Sequence, residues 1–125
     1  MTASVVERVG HTASVDDHAE LCVTVLGAEL TAYLAGAATV AEFESWFAAP
    51  RRPSVQARRR LAAAADLVSV FETANQTALA GAWLREVDPS GYVPARVLRL
   101  SEGDETSAKA LLEAAEAWVL TPAAE

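Results

Sequence analysis

The chain reads as an all-α fold of about seven helices. Three observations predict it. Apolar residues recur at three- and four-residue spacing along most of the sequence. Serine or threonine stands before several of these runs, and Gly, Asn or Pro stands behind them. No stretch of four or more residues alternates apolar and polar with β-branched enrichment, so no strand is predicted.

Residues 1–13 hold no strong pattern and read as a loose arm. Ser14, with Asp17 three residues on, is a capping-box start in which Asp replaces the usual Glu or Gln. A helix follows over Val15 to Leu26, with Leu21, Val25 and Leu26 on its apolar face and Gly27 as its stop. A short helix over Ala28 to Ala35 turns Leu30, Tyr33 and Leu34 to one side, and Gly36 ends it. Thr39 with Glu42 is a second capping box, opening a helix that reaches Phe47. Phe43, Trp46 and Phe47 form its apolar face. Helix, glycine turn and capped helix is the shape of a helix-turn-helix.

Pro50-Arg51-Arg52-Pro53 breaks the chain and is the best subdomain boundary, dividing 14–52 from 53–120. Ser54 caps the longest helix, Val55 to Ala74, whose period runs through Leu61, Ala64 or Ala65, Val68 and Phe71. Asn75 and Gln76 interrupt it. Thr77 caps a helix over Ala78 to Arg85. Asp88-Pro89-Ser90-Gly91 is turn chemistry. Pro94 opens a short helix through Leu98 and Leu100 to a stop at Gly103, because proline's missing N–H is harmless in a first turn. The last helix, Thr106 to Val119, carries Ala108, Leu111, Leu112, Ala115 and Trp118 on one face. A tail, 121–125, closes the chain.

Apolar residues make up 52% of the 125, ample for a core. Much of that is alanine, so three tryptophans, three phenylalanines and two tyrosines decide where helices meet. The net charge of −7 argues against whole-molecule binding to nucleic acid. The charge is uneven: five of the ten basic residues lie between Arg51 and Arg60, and residues 102–125 hold six carboxylates and one lysine. The single cysteine, Cys22, excludes an internal disulfide and reads as a buried structural thiol. No secretory signal and no apolar run of about 20 residues is present, so the chain reads as soluble and cytoplasmic, off the membrane.

The catalytic inventory is thin. His11 and His18 have no metal-ligand partner at a useful spacing. No glycine-rich phosphate loop occurs. Asp16, Asp17, Asp104 and Glu105 sit at helix starts, where the macrodipole explains them without chemistry. The sequence therefore predicts no enzyme, no metal and no cofactor.

Ala82-Trp83-Leu84 at a helix end, the Asp88-Pro89 loop, then Pro94-Ala95, Leu98-Arg99 and an acidic stop resemble the toxin-binding domain of Xre/MbcA/ParS-type antitoxins. The upstream half is similar too. Leu26 to Gly36 resembles the helix-turn-helix opening of actinobacterial members, and Trp46, Arg51-Arg52-Pro53, Arg59 and Leu61 keep the order. The resemblance covers about residues 20 to 120. It implies a helix-turn-helix-like part packed on a helical toxin-binding part, and a chain that blocks a RES-domain NAD-consuming toxin sterically. It also implies a homodimer that represses its own operon.

By the same resemblance, Trp83, Arg85, Leu98, Arg99, Trp118, Val119 and Leu120 face the toxin. Read from the residues alone, Trp83 is ordinary core, whereas Trp118 on a last turn is placed to meet a partner. DNA contact would fall to Thr39, Ser45, Arg51, Arg52, Arg58, Arg59 and Arg60. In the family, basic residues are common just ahead of the tryptophan matched by Trp46; here Glu44 and Ser45 stand there, and with Glu42 they disfavour sequence-specific DNA binding. The alternative on the same residues is an Xre-like transcription regulator, or a DNA-binding-deficient adaptor, without a toxin.

Overall fold

The computed structural model describes residues 14–48, 52–86, 91–101 and 104–120. Among them are seven α-helices and no strand: α1 Val15–Leu26, α2 Ala28–Ala35, α3 Val40–Ser45, α4 Val55–Thr73, α5 Ala80–Arg85, α6 Pro94–Leu100 and α7 Glu105–Leu120. A 3-10 turn, Thr77–Leu79, leads into α5. The all-α reading therefore holds.

Helix α4 organises the molecule. It is 19 residues long, about 28 Å of axis, and α1, α2, α5, α6 and α7 all touch it. Alanine makes that convergence feasible. Ala57, Ala63, Ala64 and Ala65 are buried on α4, and such small side chains let neighbouring axes approach. Leu61, Leu67, Val68 and Phe71 fill the space between.

Two apolar clusters result. The larger joins Cys22, Leu30 and Leu34 to Leu67, Val68, Phe71, Trp83, Leu84, Leu98 and Leu111. The smaller gathers Ala19, Ala32, Ala35, Ala37, Phe43 and Leu61. Both draw residues from either side of the boundary predicted at 52/53. Aromatics mark two helix junctions. Phe71 meets both Trp83 and Trp118, each with its ring centroid 5.7 Å away. Phe43 meets Trp46 and Phe47 edge-on at 6.2 and 5.3 Å. Such pairs add about 0.5–1.5 kcal/mol each beyond area burial.

The caps follow local chemistry. Ser14 and Asp17 form both bonds of a capping box. Ser54 Oγ accepts from Ala57 N at 3.0 Å. Asp104 Oδ2 accepts from Ser107 N at 2.9 Å, and this bond holds the Asp104 carboxyl below its usual range. Asn75 takes the left-handed conformation, φ 60°, after α4; Gln76 N then reaches Phe71 O and Asn75 N reaches Glu72 O, the Schellman pattern.

Four local readings are corrected. Thr39 accepts from Glu42 N as predicted, but Glu42 Oε1 accepts from Ala38 N rather than closing the box on Thr39. Thr77 makes no side-chain cap; the chain tightens into the 3-10 turn instead. Tyr33 is exposed rather than packed beside Leu30 and Leu34. The buried face of α1 centres on His18, Ala19 and Cys22, with Leu21, Val25 and Leu26 half-buried at its edge. Asp88 to Ser90, Gly103, the arm and the tail lie outside the described residues.

Candidate functional site

The residues predicted to face a partner separate into three groups. Trp83 and Leu98 belong to the core, at 6% and 0% exposure, and are not surface contacts in this fold. Each sits on the inward face of a short helix that has only that face to bury.

Arg99 is occupied within the chain. Its Nη1 donates to Tyr33 O at 2.7 Å and to Ala37 O at 3.0 Å. Its guanidinium carbon lies 4.7 Å from the centre of the Tyr33 ring, within cation–π range. Arg60 works beside it, donating from Nε to Arg99 O at 3.1 Å and from Nη1 to Ala35 O at 3.4 Å. Helix α2 has no basic residue in its own last turn, so α4 and α6 supply the cations that its C-terminal dipole favours.

The third group is open. Arg85 and Leu120 are exposed, Trp118 is 36% exposed at the end of α7, and Val119 packs half-buried on the larger cluster. Two further apolar residues join them on the surface, Tyr92 at 62% and Leu100 at 66%. They line a cleft of about 540 Å³ with Val93, Arg96 and Val97. Leu100 carried a readable signal. Residues two apart on a helix differ by about 200°, so Leu98 and Leu100 cannot both face inward. Tyr92 lies outside any helix and carried none.

The predicted DNA-contacting residues do not converge on one surface chemistry. Thr39 Oγ1 accepts from Glu42 N at 3.0 Å, and Ser45 Oγ donates to Glu42 O at 2.6 Å. Helix α3 has six residues, and its exposed charges are Glu42 and Glu44. Arg52, Arg58 and Arg59 are exposed, Arg60 is tied to α2 and α6, and Arg51 lies outside the described residues.

No group of three or more metal-ligating side chains gathers among the described residues. Cys22 is fully buried, and burial pushes its thiol up to about 12. His18 is buried on α1. No described helix is long and apolar enough to cross a membrane. Comparison with protein-family models, curated proteins and solved structures returns no match to this chain.

Proposed function

We propose that this chain is a non-enzymatic antitoxin, a cytoplasmic protein that blocks a RES-domain toxin by occupying its cleft. The observation that carries the reading is the open apolar surface of the C-terminal part. Tyr92, Leu100, Trp118 and Leu120 leave large apolar groups in water, within the segment that resembles a toxin-binding domain. Tyr92 and Leu100 share one cleft, and an exposed apolar patch is typical of surfaces that meet a protein. Tyrosine and tryptophan at such positions concentrate binding energy. Arg85 and Arg96 add exposed cations on the two helices before α7.

Inhibition would be steric. The apolar side chains anchor the complex, and the end of α7 is carried into the cleft. On this reading the working species is a homodimer. The second reading, an adaptor deficient in DNA binding, is favoured over a transcription regulator by the charge of α3, whose exposed ionisable residues are Glu42 and Glu44.

The test is co-expression with a RES-domain toxin from the same genome. The unchanged chain should restore growth and co-purify with the toxin. The pair Tyr92→Asp and Leu100→Asp should abolish both while the circular dichroism spectrum stays helical. A chain that neither neutralises nor binds that toxin overturns the proposal.

A further inference from the structure

A second groove lies in the N-terminal half, between α1 and α3. Its volume is about 430 Å³. Val23 and Phe47, half-buried against the smaller core cluster, and the edge of its buried member Phe43 give it an apolar floor. Asp16, Glu20 and Glu44 stand on its rim, all three exposed. Among the described residues, no lysine or arginine lines it and none of the three carboxylates engages a cation.

This arrangement selects its occupant by sign and by shape. Three carboxylates around an apolar floor repel a nucleic-acid backbone and an anionic lipid surface alike. They attract cations, and the floor rewards an apolar side chain set between those cations. A helix with lysine or arginine flanking apolar residues at i, i+3, i+4 and i+7 has that pattern. We propose that the α1–α3 groove docks a basic amphipathic segment of a partner protein, with its apolar anchor on Phe43 and Phe47 and its cations against Asp16, Glu20 and Glu44. The surface is separate from the Tyr92 and Leu100 cleft and does not depend on the antitoxin reading.

The experiment uses the full chain and a labelled peptide of about 14 residues, with leucines at i, i+3, i+4 and i+7 and lysines elsewhere. Fluorescence anisotropy gives affinity, and amide chemical shifts give location. The peptide should bind the unchanged chain and shift Val23, Phe43 and Phe47. Glu20→Lys with Glu44→Lys should weaken binding about tenfold or more, as expected for charge complementarity at a docking rim. Glu113→Lys with Glu116→Lys, two exposed positions on α7, changes the net charge equally and should leave binding within about twofold. Equal weakening by both pairs overturns the proposal, because it means bulk attraction to an acidic protein. So does absence of binding, a shift pattern centred elsewhere, or preferential binding of duplex DNA at this groove. Glu20→Gln with Glu44→Gln repeats the test without introducing positive charge.

Discussion

Arg60 lays its guanidinium so close to Gly36 that a Cβ on Gly36 would stand 2.5 Å from Nη1. Gly36 also holds φ at 93°, the left-handed region, as the C-cap of α2. Both facts favour glycine: a Cβ there would push the Arg60 guanidinium off its carbonyl acceptors, and the left-handed backbone strains any residue that bears one. Gly36→Ala should therefore destabilise the protein by about 2–4 kcal/mol, combining left-handed strain with displacement of a half-buried arginine. Chemical denaturation measures this. In an Arg60→Ala background the same substitution should cost only about 1–2 kcal/mol, the strain alone. An undiminished penalty in that background would remove Arg60 from the account.

What was legible in the sequence follows from range. The caps at Ser14 and Ser54, the stop at Gly36 and the face of α4 depend on residues within a few positions, so periodicity and spacing reveal them. Tyr33 was misplaced because its partner, Arg99, is 66 residues away along the hydrogen-bonded pair. A helical wheel sees an aromatic ring and assigns it inward. Arg60 and Arg99 looked like solvent-facing or partner-facing cations for the same reason. Their acceptors are main-chain carbonyls of α2, Arg99 and Ala37, and carbonyls leave no mark in a sequence. The apolar rim at Tyr92 and Leu100 was half-legible: Leu100 through its angle to Leu98, Tyr92 through nothing local.

Thr31 offers a test of polar burial. It is fully buried on α2, and its Oγ1 has no hydrogen-bond partner among the described residues. Thr31→Val keeps the branched shape and removes the hydroxyl. The variant should gain about 1 kcal/mol, since a buried unpaired hydroxyl is destabilising by about that much. Thermal unfolding should show a higher midpoint, and a loss of stability would mean that Oγ1 is satisfied in solution.

Cys22 sets an alkaline limit. Burial raises its thiol from 9.0 to about 12 in the folded chain. The unfolded chain therefore sheds this proton first as pH rises. Stability from this group is complete below pH 9 and falls through the window up to pH 12, by at most about 1.4 kcal/mol per unit. Cys22→Ala opens a small cavity but removes the titration. The stability gap between the two proteins should narrow as pH rises from 9 towards 11. A constant gap across that range would mean that the thiolate reaches water in the folded state.

Trp83 and Trp118 both pack on Phe71 at equal centroid distance, 5.7 Å, yet they should behave differently. Trp83 is 6% exposed and belongs to the core cluster, whereas Trp118 is 36% exposed at the edge. Trp83→Ala should cost about 3–5 kcal/mol, the range for removing a buried aromatic. Trp118→Ala should cost about 1–2 kcal/mol, since part of its ring already meets water. The functional consequence runs the other way. Trp118→Ala should remain folded at ambient temperature and lose binding to a cognate RES toxin, because an open aromatic anchor is removed with the scaffold intact. Denaturation curves and a pull-down on the same preparations separate the two effects. If Trp118→Ala stays folded and binds the toxin undiminished, its ring only covers Phe71. The contact would then fall to Tyr92, Leu100 and Leu120.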